Sequence, residues 1–163
     1  MNEDVGSGSV RDVRVPADKT ELLERLTEGN KPFSTMRDVL VFAAAVGWSQ
    51  NREMSFERAA RDRIRWSTMT NRSGTEDLVN MLAISKTDDV DILTPDRFPR
   101  RIAIFEAYAN GGLEFIEQLI ASQPHRDLVY LLEELVRSDS ESSETEDESG
   151  LPEEVSRLAK GLI

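Results

Sequence analysis

Six arginines fall within residues 52–72, and no other stretch of the chain concentrates reactive or binding side chains to this degree. Arg52, Arg58, Arg61, Arg63, Arg65 and Arg72 are opposed there only by Glu53, Glu57 and Asp62, a local balance of +3 in a chain of net charge −11. A guanidinium can grip a phosphate through two parallel N–H bonds, and an aromatic ring can stack on an exposed base. Trp66 directly follows Arg65. Arg58, Arg61, Arg63, Arg65 and Trp66 are therefore candidate nucleic-acid contacts, with Arg97, Arg100 and Arg101 as a smaller cluster. The competing reading pairs these arginines with nearby acids and places Trp66 in the core.

Other chemistry finds little to build on. The only histidine, His125, sits between Pro124 and Arg126 and reads as a surface or capping residue. The chain has no cysteine, so disulfides, thiolate metal sites and thiol nucleophiles are excluded. Neither a Gly-x-x-x-x-Gly-Lys loop nor a Gly-x-Gly-x-x-Gly turn occurs, and Gly111-Gly112 reads as a helix break. Asp88, Asp89 and Asp91 could offer oxygen ligands to a cation, but the segment lacks the glycine and closing glutamate of a calcium loop. A solvated acidic loop is the simpler reading. The sequence thus points to no catalytic residue, no metal and no cofactor.

The 163 residues suit one domain with tails. No apolar run nears the roughly 20 residues of a membrane helix; the longest, Val39–Val46, lies inside an amphipathic segment. Met1–Ser9 is polar and unlike a secretory signal, which favours a cytoplasmic protein. Acidic balance argues against a general polyanion binder. The acidity is uneven, since Ser138–Ile163 holds eight acids against Arg157 and Lys160. Only Lys19, Lys31, Lys86 and Lys160 are lysine. That bias fits both a salt-adapted proteome and GC-rich coding.

The elements that must position these residues are mostly helical. Residues 1–9 read as a disordered tail. Val10–Val15 alternates as a short strand, with Val13 and Val15 on one face and Asp12 and Arg14 on the other. Asp18, with Glu21 three residues on, predicts a capping box for a helix carrying Leu22, Leu23 and Leu26. Ser34 or Thr35 should cap a second helix with Met36, Val39, Leu40, Ala43 and Val46 inward, stopped at Gly47. Residues 50–70 suggest a helix around Phe56–Ala60 and an extended piece near Ile64–Trp66. Thr75 should cap a helix through Leu78, Val79, Met81 and Leu82. Pro99 opens a helix carrying Ile102, Phe105 and Tyr108, ended by Asn110-Gly111-Gly112. A further helix runs over Leu113–Ala121, and Pro124 opens a last one through Val136. Residues 138–150 form an acidic, serine-rich linker that cannot bury a core, and 151–163 a short amphipathic helix. The expectation is a mainly α fold, a compact bundle of five to six helices with one short N-terminal strand, over residues 10–137.

Several segments together resemble a known family. They are Arg14-Val15-Pro16, the run from Thr35-Met36-Arg37-Asp38 to Ala45-Val46-Gly47, Ile64-Arg65-Trp66, and Ile104-Phe105-Glu106-Ala107-Tyr108-Ala109-Asn110-Gly111-Gly112-Leu113-Glu114. In this order and spacing they resemble DNA phosphorothioation-associated protein 4, an accessory protein of dnd-type DNA sulfur-modification systems, over roughly residues 11–135. The resemblance implies a setting in which sulfur replaces a non-bridging phosphate oxygen and marks self DNA against invading phage DNA. It implies protein partners from a modification or restriction complex, and supplies no catalytic residue.

Two functional expectations follow. The first is a non-enzymatic accessory subunit acting through protein–protein contacts. The alternative is a DNA-binding accessory that uses the arginine patch, or a ribbon-helix-helix regulator that dimerises through Val10–Val15 and reads DNA with Arg14. The sequence leaves the direct partner and the oligomeric state open, and calls for no membrane.

Overall fold

The computed structural model describes residues 12–29 and 31–138, which divide after Pro124 into two units. In the first unit the alternating front run makes β1 (Asp12–Val13), and a single 3-10 turn leads into α1 (Thr20–Thr27). Leu22, Leu23 and Leu26 are buried, as their spacing requires. Asp18 is not a cap: it lies inside the 3-10 turn at Ala17–Lys19, and Lys19 takes the cap position with no side-chain bond. That extra turn displaces the helix start beyond the reach of the Asp18 carboxylate.

α2 (Met36–Ser49) begins where Thr35 accepts the Asp38 amide at 3.2 Å, satisfying one orphan donor of the first turn. It buries Val39, Leu40, Ala43 and Val46, while Met36 stays exposed. It does not stop at Gly47. α5 (Phe98–Ser122) likewise runs unbroken through Asn110-Gly111-Gly112. These glycines serve packing instead of termination. A Cβ on Gly47 would overlap the Tyr108 carbonyl, and one on Gly112 would overlap that of Ala43. The two helix backbones touch where these glycines face each other, and α2 with α5 forms the central pair of the unit.

The expected helix at Phe56–Ala60 is absent; the segment is extended. It leads to β2 (Ile64–Arg65), which pairs antiparallel with β1 in the register Val13–Ile64 and Asp12–Arg65. α3 (Trp66–Met69) follows at once, then α4 (Thr75–Thr87). Gly74, at φ +89°, holds the cap position of α4, and Thr75 is its first residue. The Thr75 hydroxyl is taken by Arg37, a buried side chain that also donates to the Met69 carbonyl at 2.9 Å and to Asp38 at 2.5 Å. One guanidinium thus ties the starts of α2 and α4 to the end of α3.

In the second unit α6 (residues 128–138) starts from Asp127, whose carboxylate accepts the Val129 and Tyr130 amides. Leu131, Leu132 and Leu135 follow at helical spacing. With α6 the described residues hold six helices and a two-stranded sheet, a mainly α architecture. The expected N-terminal tail, acidic linker and C-terminal helix lie outside the described residues. None of the described helices is long and apolar enough to cross a membrane.

Candidate nucleic-acid interface

Residues 52–65 form a strap laid across the helical pair and fastened along most of its length. The Arg52 amide donates to Gly47, and the Met54 amide to Ala107 at 3.0 Å. Asn110, inside α5, donates its side-chain amide to the Met54 carbonyl at 3.0 Å. Gly111 admits this approach, because a Cβ there would overlap the Arg52 carbonyl. Further on, the Ala17 amide donates to Arg58 at 3.0 Å and the Ala60 amide to Val15 at 2.8 Å.

The register forces the strap outward at one place. Between Val13 and Pro16 the first strand takes three steps, while its partner takes five from Ala59 to Ile64. The two surplus residues cannot enter the ladder, so the strap bulges at Arg61-Asp62-Arg63. All three side chains are exposed.

The candidate contacts separate into two groups. Arg58, Arg61, Arg63 and Arg65 are exposed and make no side-chain hydrogen bond or ion pair to any described residue. Glu53, one of the three opposing acids, is taken by Lys86. Arg14, by contrast, is committed inward. Its amide, Nε and Nη2 all donate to the Glu106 carboxylate at 2.7–2.9 Å, and its guanidinium lies 5.0 Å from the Phe56 ring centre. The Glu106 side chain is 3 % exposed, so this is an interior ion pair that seats the strap on α5. β1 itself is paired within the chain to β2, the bonding a ribbon dimer would need from a second copy.

The remaining arginines are dispersed. Arg52 donates to Gln118 and lies over Phe115. Arg72 pairs with Asp38 at 3.3 Å and Arg97 with Asp89 at 2.7 Å. Arg100 is exposed and Arg101 buried. In the acidic loop, the hydrogen bond from the Asp91 amide and the Arg97 charge hold the Asp89 carboxyl below its ordinary range, despite some desolvation. Asp88 is an exposed helix terminus at φ +51°, Asp91 points to solvent, and His125 is exposed.

Trp66 is half-buried, edge-on to Phe98 with ring centres 5.1 Å apart. The two rings, with Pro95 and Pro99, wall a cleft of about 520 Å3 at the end of the strap. Sequence reasoning missed this cleft, and it missed Glu106 and Arg101 as buried charges. For Glu106 a signal was present, since it stands among apolar neighbours on the long helix, where a charge needs a reason; Arg101, next to Arg100 in a basic cluster, carried none.

The fold and this surface define a helical protein carrying a fastened, outward-facing arginine strap beside an aromatic cleft. The family model of DNA sulphur modification system-associated protein 4 matches residues 12–153, and the chain belongs to that family. No curated protein and no solved structure matches it. The chain is thus associated with a DNA sulphur modification system.

Proposed function

We propose that the chain is a non-enzymatic accessory component of its DNA sulphur modification system and that the arginine strap is its contact with DNA. One observation carries this reading: four exposed arginines without an acidic partner among the described residues, on backbone held at both ends. Side chains kept for structure are paired here, as Arg14, Arg37 and Arg97 are. Fastened backbone also limits the ordering cost of binding.

Electrophoretic shift and anisotropy with labelled duplex test the reading. Four phosphate contacts give a salt slope of roughly −3.6 on log axes, so raising salt from 50 to 200 mM weakens binding about 150-fold. Arg61→Ala with Arg63→Ala should halve the slope. Absence of binding to intact, nicked and sulphur-modified duplex at low salt refutes it.

A second contact, with a protein component of the modification or restriction machinery, is favoured by exposed apolar side chains. Trp48 at the end of α2 and Met81 on α4 are 45 % and 49 % exposed, and the Trp48 indole is fixed by a 3.3 Å bond to Ser85. Affinity capture from the native host should recover such a component with the unaltered chain and lose it with Trp48→Ala. Recovery of none counts against this contact.

A further inference from the structure

Arg101 lines the cleft beside Trp66 and is a buried charge without a counter-ion. It is 7 % exposed, and no carboxylate of the described residues pairs with it. Nη1 donates to Asn80 at 2.5 Å and the guanidinium lies 5.1 Å from the Phe98 ring centre, but the Nε N–H has no acceptor. Such a group is ordinarily supplied with a carboxylate or a full set of acceptors. Its position adds to the anomaly. Arg101 stands in the first turns of α5, where the helix dipole disfavours a cation.

The rest of the lining restricts what could answer it. Trp66, Phe98 and the two prolines offer flat apolar walls. Glu76 and Asp96 bring carboxylates to the same cleft. Hydrogen bonds from Thr94 and from its own backbone amide hold the Asp96 carboxyl below its ordinary range, so it is an acceptor at neutral pH. A free anion would meet those carboxylates. The fitting ligand is flat, with an acceptor edge for the guanidinium and a donor edge for the carboxylates. Guanine has both, O6 and N7 on one side and N1–H and N2–H on the other. Adenine sets its N6 amino group where guanine has an acceptor. The cleft volume, about 520 Å3, lies within the range of roughly 300–1,000 Å3 usual for small-ligand sites.

We infer that this cleft receives a guanine base from an unpaired stretch of DNA, ringed by Trp66 and Phe98 and read by Arg101 with Glu76 and Asp96. The inference rests on the strap's contact with DNA. Arg65 and Arg100, both exposed and each next in the chain to a cleft residue, are placed for the flanking phosphates. The base must be unstacked to enter, so a paired duplex does not present it.

The full chain carrying Trp48→Phe leaves Trp66 as the only indole, and its fluorescence reports the cleft. The probes are twelve-residue thymidine oligonucleotides with one central dG or one central dA, and guanosine monophosphate. The dG strand should quench Trp66 and bind about tenfold tighter than the dA strand, as one specific base contact allows. Glu76→Gln, at an exposed position, should shrink that ratio severalfold. Arg61→Ala with Arg63→Ala should weaken both strands and preserve the ratio. Equal affinity for the two strands, or binding with unchanged Trp66 emission, overturns the assignment while leaving the DNA contact of the strap intact. Quenching by the mononucleotide with no oligonucleotide bound keeps a guanine site and overturns the strap's role.

Discussion

Gly112→Ala tests whether the glycines of the central helix pair are there for backbone contact. By intrinsic preference alone this exchange should help, since alanine in a helix interior is favoured over glycine by about 1 kcal/mol. The tertiary structure reverses the sign. A Cβ at residue 112 would sit 2.6 Å from the Ala43 carbonyl carbon and 2.9 Å from the Gly47 nitrogen. Carbon atoms in good contact stand about 3.5–4.0 Å apart, and the Ala43 carbonyl oxygen is closer than its carbon, so α2 and α5 would have to part by more than about 1 Å. The obstructing atoms are backbone and cannot rotate away. Overpacking of this kind costs about 1–3 kcal/mol. The close approach of the Ala43 carbonyl oxygen to the new Cβ puts the cost at the upper end; less the roughly 1 kcal/mol of propensity, the net destabilisation should be about 2 kcal/mol. For a chain of this length that lowers the thermal midpoint by about 4–8 °C. Ala103→Gly, on the exposed side of α5, is the control and should lose about 1 kcal/mol by propensity alone. Urea unfolding followed by circular dichroism measures both. A Gly112→Ala protein as stable as the parent, or more so, refutes the close-contact argument.

Three further outcomes are expected. Arg14→Ala leaves the Glu106 carboxylate buried with only the backbone amide, and should cost about 2–3 kcal/mol in urea melts; Arg14→Met with Glu106→Met should recover much of that loss, and strict additivity would show that the pair is not coupled. The hydrogen bond from Lys19 holds the Glu114 carboxyl below its ordinary range, outweighing burial. A depressed carboxyl stabilises the fold above its unfolded pKa, near 4.3, and loses that contribution as pH falls through the lower folded value. Stability should therefore decline as pH drops below about 4, and Lys19→Met should flatten the decline. Arg37→Lys keeps the charge but cannot make the three-way bond to Met69, Asp38 and Thr75. Amide exchange in α3 and the first turn of α4 should quicken in that variant before global stability changes greatly.

The helix-forming stripes were legible because burial alone specifies them. Leu22, Leu23 and Leu26, then Val39, Leu40, Ala43 and Val46, each repeat at the spacing of a single buried face, and that face is buried. The strand face of Val13 and Val15 was legible for the same reason. Glycine was misread at residues 47, 111 and 112 because the same missing side chain serves a helix end or a close crossing. Only the partner backbone distinguishes the two. The strap was misread at Phe56–Ala60 because its hydrogen bonds go to residues 15–17 and to α5, pairings that local pattern does not encode.

The sequence by itself determined the mainly α class, the positions of most helices, the concentration of arginine at residues 52–72 and the family to which the chain belongs. Those are properties of composition, period and motif. Tertiary structure alone decided which arginines remain available. It sent Arg14 to Glu106 and Arg97 to Asp89, and buried Arg101 without a counter-ion among the described residues. It left Arg58, Arg61, Arg63 and Arg65 facing outward, Arg61 and Arg63 because a strap with two residues too many for its ladder must bulge where they lie. A charge count fixes how many cations a segment holds; the geometry of their neighbours decides which of them are still unpaired.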